Sequence, residues 1–350
     1  MFTSRNRSRG GVFFAGVFLA MVTKTLAPCL TAKRVHMQIF VSGSLAYDRI
    51  MDFPGKFADH ILPDKIHVLN VCFTVNGLSE KFGGTAGNIA YSLALLGEQP
   101  VVLATAGKDF DRYETWLLKH QLPLQGIRRI SEELTAGAYI TTDQADNQIT
   151  GFNPGTMKYP SLFKFDGINP QEALAIVAPG NLEDMLTYSR TCREKKIDYI
   201  FDPGQSITAL SADQMTEMLT GSRLLISNDY ELEMIMRTTG FEKAQLMERT
   251  GGIITTLGEN GSLVCTSDQE VKTPAARASQ VLDPTGAGDA YRAGLIKGLV
   301  TGKSLQDAAL MGAVCASFAV ECHGTQEHRF SQEEFWARYQ VNFNQPASTH

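Results

Sequence analysis

The chain has 350 residues, enough for one large domain or two ordinary ones. Its 43% hydrophobic and 20% charged residues are those of an ordinary globular protein, and a net charge of −5 argues against nucleic acid or an anionic membrane as partner. The six cysteines (Cys29, Cys72, Cys192, Cys265, Cys315, Cys322) form no C-x-x-C pair and read as reduced, buried thiols. The histidines show no metal-ligand spacing.

Residues 1–36 hold no Asp or Glu, and Arg5, Arg7 and Arg9 precede the apolar run "GVFFAGVFLAMV". That pattern suits a signal or organelle-targeting segment. It is too short for a membrane span, which needs about 18 apolar residues. The alternative is translation from Met37, where "MQIFVSGS" opens like a buried strand. On either reading the fold begins at Met37, and the domain from that residue onward is expected to be cytoplasmic.

Short apolar runs then recur at 38–43, 101–105, 174–180, 199–204, 223–228 and 252–258. Between them lie stretches of helical period. In "NIAYSLALLG" Ile89, Leu93 and Leu96 share a face and Gly97 supplies the stop. "NLEDMLTYSRTCREKK" at 181–196 is another. Strand and helix in alternation predict an α/β fold, a mostly parallel sheet flanked by helices. Two stretches break the alternation. Residues 49–82 show no clear helix, and 128–152 contain the hairpin-like "AGAYITTDQADNQITGF". Together they predict a small β lid over the strand ends, where ligands bind in such sheets. The domain is expected to run from 37 to 335, with 336–350 a tail frayed at its end.

"DPTGAGDAYRAG" at 283–294 places a glycine-rich loop at the start of a helix. Free N–H groups and the helix dipole there attract anions, and glycine lets an anion approach the backbone. Asp289 beside such a site would repel a resting anion, so its chemistry is that of a base taking a hydroxyl proton as phosphorus is attacked. An acidic residue in a first helical turn is also favourable in its own right. "GLVTGKS" at 298–304 imitates a P-loop with one residue too few. Gly302 as a helix stop, with Ser304 and Asp307 capping the next helix, accounts for it.

Four further stretches complete the pattern: "GSLAYD" at 43–48, "FGGTAGN" at 82–88, "NDYE" at 228–231 and "TLGENGS" at 256–262. With the Gly-Gly signature ahead of the D-x-T-G-A-G-D type signature, the chain resembles the PfkB/ribokinase family of carbohydrate and nucleoside kinases from about Met37 to Phe330. The resemblance implies a ribokinase-like fold and ATP with Mg²⁺. It makes Asp289 the catalytic base, and the amides of Gly286, Ala287 and Gly288 the anion hole. Asn228 and Glu231 match an N-x-x-E motif that organises Mg²⁺, its waters and phosphate, with Asn228 also at the ATP; the same spacing also makes a helix capping box. Thr256, Gly258 and Gly261 match the ATP-binding strand end and turn. Asp283, with the segment near Gly324, matches a K⁺ site of many relatives, or serves an Asp-Pro turn.

Asp48, Gly83, Gly84 and Asn88 match the acceptor site. A carboxylate accepts two hydrogen bonds from a vicinal diol, which a ribose offers. The lid carries no basic cluster for a phosphorylated acceptor. It is aromatic instead, with Phe53, Phe57, Phe73, Tyr139 and Phe152 available to stack on a base. "FDPGQS" and "GTQEHRF" resemble the prokaryotic adenosine and nucleoside kinases of the family. The expected reaction is therefore phosphorylation of a nucleoside, adenosine first. A ribokinase-like sugar kinase is the alternative, and a non-catalytic nucleotide-binding regulator the reading from another class. The intact Asp289 and glycine loop speak against the regulator.

Overall fold

The structure is a computed structural model that describes residues 37–343; the segment 1–36 and residues 344–350 lie outside the described residues. In the major sheet the strands are β1 (Gln38–Ser42), β4 (Val101–Ala106), β5 (Ile127–Arg129), β8 (Ala173–Val177), β9 (Asp198–Phe201), β10 (Leu224–Asn228), β11 (Ile253–Thr256), β12 (Ser262–Cys265) and β13 (Glu270–Thr273). They lie side by side in the order β13-β12-β11-β10-β9-β8-β1-β4-β5. Every pairing from β11 to β5 is parallel; β12 pairs antiparallel with both β11 and β13 and is the one strand of this sheet that runs against the rest.

The helices are α1 (Thr85–Leu95), α2 (Asp111–Lys119), α3 (Leu182–Lys195), α4 (Ala212–Leu219), α5 (Asp229–Thr239), α6 (Lys243–Met247), α7 (Ala287–Val300), α8 (Leu305–Ala319) and α9 (Gln332–Phe343). Strand alternation sorts them onto two faces. Ile39 and Val41 join the core that holds Ile89 and Leu93 of α1 with Leu295 of α7 and Val314 of α8. Phe40 points the other way, into a core with Met185 of α3 and Met215 of α4. The imitation P-loop lies where α7 meets α8. A side chain at Gly298 would meet Ala308 Cα at 2.5 Å, and the Ser304 hydroxyl accepts the Asp307 N–H at 3.1 Å. That stretch is helix packing and capping. The Asp307 carboxylate accepts the Ser304 hydroxyl.

A separate four-stranded sheet, in the order β3-β2-β6-β7, is built from β2 (Ala46–Asp52), β3 (Leu78–Gly83), β6 (Ala136–Thr142) and β7 (Gln148–Asn153). The lid thus begins at Ala46 rather than 49. Residues 128 and 129, expected in it, pair with β4 in the major sheet instead. The 335/336 boundary also shifts. It cuts α9, whose Phe335 and Tyr339 are buried in the core, because one apolar helical face runs through it. Of the cysteines described, Cys192, Cys265 and Cys315 are buried as expected and Cys72 is exposed. Cys29 lies outside the described residues. Among the described residues no helix is long and apolar enough to cross a membrane.

Candidate active site

The glycine loop enters α7 through Gly286, whose φ of +80° suits glycine; a Cβ there would also meet Thr325 at 2.9 Å. Asp289 stands in the first turn. The Asn88 side-chain amide donates to its Oδ2 at 2.8 Å. Asn88 in turn accepts at Oδ1 from the Thr325 hydroxyl (2.8 Å) and the Gln326 amide (3.0 Å). Its amide is therefore turned to Asp289, whereas the motif places Asn88 at the acceptor. The signature "GTQEHRF" contributes through Thr325 and Gln326, neither of which stands out by type or spacing.

Burial pushes the Asp289 carboxyl up to about 6, against the pull of Arg292 and the Asn88 hydrogen bond and with help from Asp202 and Glu231. It is not the ordinary aspartate, near pKa 4, that its residue type implies. It stays mostly ionised at pH 7 yet binds a proton far better than an exposed aspartate, which suits a general base.

The second carboxylate is Asp48 on β2. A Cβ on Gly83 would approach its Oδ2 to 2.6 Å, so the glycine makes room for this carboxylate rather than for a sugar. Gly84, at φ +89°, is packed against the backbone of Ser44 and Ala46, not open to a ligand. Burial first, and then Asp283, raise the Asp48 pKa. No hydrogen bond to the half-buried Asp48 carboxylate forms among the described residues, which leaves its oxygens available to a ligand. Tyr113 bridges the two centres: its hydroxyl donates to the Gly83 carbonyl (2.8 Å) and receives the Gln326 amide (2.6 Å).

Strand register decides which lid aromatics face the acceptor side. Asp48 lies opposite Lys81 and Ala138, and Ala138 opposite Phe152, so these side chains share one face. Phe152 is half exposed there. Tyr139 pairs with Arg49 on the other face. Phe53, Phe57 and Phe73 stack on one another, with centroids 4.7–5.6 Å apart, and form the lid's own core. Of the five expected aromatics, only Phe152 shares the face of Asp48.

On the other side of Gly288 opens a cleft of about 1020 Å³, lined among others by Thr256, Gly258, Gly261, Ala287 and Asn342. It is large enough for a nucleotide. Of the four residues expected to bind ATP, Thr256, Gly258 and Gly261 line it and Asn228 does not. Asn342, on the helix that the sequence reading assigns to a tail, lines it too. Asn228 and Glu231 form the reciprocal capping box, at 2.7 and 2.9 Å. Glu231 also lies close enough to act on Asp289 and Arg292. The Asp283 carboxylate accepts from the Thr285 N–H (2.9 Å) and the Gly324 N–H (3.1 Å). Those bonds account for Asp283, and no cation role is assigned to it. Beneath the loop a buried pair joins Asp202, of the stretch "FDPGQS", to Arg292, of the glycine-loop stretch; the sequence reading gives neither residue a role.

This arrangement invites comparison with known proteins. A family model described as pfkB family carbohydrate kinase matches residues 55–331. A nucleoside kinase of Methanocaldococcus jannaschii is 32% identical over 259 residues, which is 73% of this chain and 85% of that protein. The nucleoside kinase of Burkholderia thailandensis, solved with inosine, superposes with a TM-score of 0.77 at 32% identity, over 88% of this chain and 98% of that one. The same protein in complex with ADP-inosine gives 0.76 at 33% identity, over 88% and 96%. With most of the chain matched by the family model, and relatives above 30% identity along most of their length, the chain belongs to the pfkB family of carbohydrate kinases, enzymes that transfer a phosphoryl group to a hydroxyl acceptor.

Proposed function

We propose that the protein transfers the γ-phosphoryl group of ATP to the 5′-hydroxyl of a ribonucleoside, adenosine among them. The observation that carries this reading is Asp48, a half-buried carboxylate with no protein donor among the described residues, on the lid face it shares with Phe152. A ribose 2′,3′-diol supplies the missing donors, and a base resting on Phe152 adds stacking. The relatives named nucleoside kinases support the same acceptor class.

In this account the acceptor 5′-oxygen attacks the γ-phosphorus, the bond to the ADP oxygen breaks, and Asp289 Oδ takes the hydroxyl proton late in the step. The N–H groups of Gly286 and Gly288 meet the charge on the transferring group, and that of Ala287, which donates to the Pro284 carbonyl at 3.2 Å, joins them only by leaving that bond. One such donor is worth about 10²–10³ in rate. Thr256, Gly258 and Gly261 hold the nucleotide. Among the described residues no three metal-ligating side chains gather, and Mg²⁺ suits such a site because it keeps its waters and binds phosphates with one or two carboxylates. Glu231, whose charge reaches Asp289, is the carboxylate we assign to it, with Asn228 fixing its rotamer. When bound, Mg²⁺ neutralises charge on the phosphates.

The test is an ATP-coupled assay across nucleosides, ribose, fructose and fructose phosphates. Nucleosides should lead. A free sugar outperforming every nucleoside would establish the sugar-kinase alternative instead.

Two smaller predictions arise here. With the Asp289 carboxyl near 6, kcat/KM should fall about tenfold per pH unit below that value and level off above it. A profile flat down to pH 5 contradicts the assignment. Asn342 accepts the Arg277 N–H (2.8 Å) and donates to the Arg338 carbonyl (2.8 Å), steadying a wall of the nucleotide cleft. Losing one such bond costs about 0.5–1.5 kcal/mol, so Asn342→Ala should raise KM for ATP roughly two- to tenfold. The acceptor KM should not move; if it rises equally, the helix acts on the whole fold.

A further inference from the structure

Arg292 lies one turn beyond Asp289 on α7 and is buried. Its guanidinium grips the Asp202 carboxylate with two bonds, from Nε to Oδ2 and from Nη2 to Oδ1 (2.7 Å). The third nitrogen, Nη1, donates to the Gly288 carbonyl at 3.0 Å. Asp202 is itself buried, at the end of β9. One side chain thus joins a strand end to the carbonyl of the glycine that precedes the base.

Stability alone does not explain such a pair. Desolvating two charges usually cancels their attraction, and an apolar pair of the same volume does as well. A cation in the second turn of a helix also faces the positive end of the dipole. The glycine loop is shaped around it: a Cβ on Gly288 would come within 2.9 Å of Arg292 Nη1. Glycine at 288 is therefore needed by the guanidinium as well as by an approaching anion.

We propose that the buried Asp202–Arg292 pair is a positioning device for phosphoryl transfer. It clamps the Gly288 peptide at the mouth of the anion loop and sets the charge beside the Asp289 carboxylate. The inference rests on the reading of Asp289 as base. The groups facing Asp289 are the Asn88 amide from α1, Arg292 on its own helix, Asp202 from β9 and Glu231 from α5; the buried Tyr113 phenol of α2 also feels its charge. Arg292 favours the ionised base, whereas Asp202 and Glu231 oppose it. Because Asp202 largely neutralises Arg292, each partner removed alone shifts the base in an opposite direction.

The experiment compares the acid limb of kcat/KM in the whole enzyme with that of Asp202→Asn, Arg292→Gln and Arg292→Lys, with folding checked by thermal denaturation and ADP binding. Asp202→Asn leaves Arg292 uncompensated and should move the limb to lower pH, by about one unit. Arg292→Gln should move it to higher pH by a similar amount. Arg292→Lys keeps the charge but loses the fork, so kcat should fall while the limb stays within about half a unit of wild type. Folded variants that lose rate with the limb unmoved in both neutralising substitutions overturn the proposal. If Arg292→Gln does not fold, the Asp202→Asn shift decides alone. A wild-type enzyme with no acid limb near pH 6 refutes the assignment of Asp289, a separate failure.

Discussion

Asp289→Asn is expected to fold and bind ATP while losing at least about 10³ in kcat. In the proposed mechanism the carboxylate is the base, and asparagine of nearly the same shape accepts no proton. Asn88 still donates to the remaining side-chain oxygen, so the loop keeps its geometry. A variant within tenfold of wild type removes Asp289 from the mechanism.

The same substitution makes a stability prediction of definite sign. In the fold the Asp289 carboxyl titrates near 6 instead of its ordinary 3.8, so the folded protein holds a proton that the unfolded chain has released. The associated stability is full below about pH 4 and is lost as pH rises through about 6. Asparagine never ionises and escapes that loss. Asp289→Asn should therefore melt higher than wild type at pH 7–8, with the advantage vanishing near pH 4. A lower Tm at neutral pH would mean that ionised Asp289 supports the fold.

Asp48 carries the second large effect. Removing one hydroxyl of the acceptor leaves part of a carboxylate that the bound ligand covers unpaired, a loss of roughly 1–3 kcal/mol and more for a charged group. 2′-Deoxyadenosine should thus be poorer than adenosine by about tenfold or more in kcat/KM. Asp48→Ala should weaken adenosine severely and largely erase that preference, since nothing is then left unpaired. Free ribose keeps the diol but lacks a base for Phe152, and should be far poorer than adenosine. Equal use of adenosine and its 2′-deoxy analogue by wild type would detach Asp48 from the diol.

Much of the fold is legible in the sequence because it is local. Each strand of the parallel sheet except the edge strand β5 is a short apolar run, and α1, α3 and the entry to α7 announce their ends with glycine or Asn181. The anion loop is legible for the same reason, as glycine and a helix start adjoin in the chain. The features that escape a sequence reading depend on distant residues meeting. Asp202 and Arg292 are 90 positions apart, and although each lies in a quoted stretch, nothing local shows that they pair. Asn88 is assigned by motif to the acceptor, yet its partner lies 201 positions away. The lid aromatics can be counted without register, but pairing of β2, β6 and β7 leaves Phe152 alone on the acceptor face. Helix α9 escapes because its apolar face resembles any surface helix until Phe335 and Tyr339 are seen in the core.

The most direct test of the central claim is the position of the transferred phosphate. Adenosine and ATP are incubated with the enzyme, and the product is examined by phosphorus–proton coupling in NMR. The account predicts a single monophosphate whose phosphorus couples to the two 5′ protons, absent with Asp289→Asn. Phosphate on the 2′- or 3′-oxygen, or turnover of free sugars with none of adenosine, would contradict it.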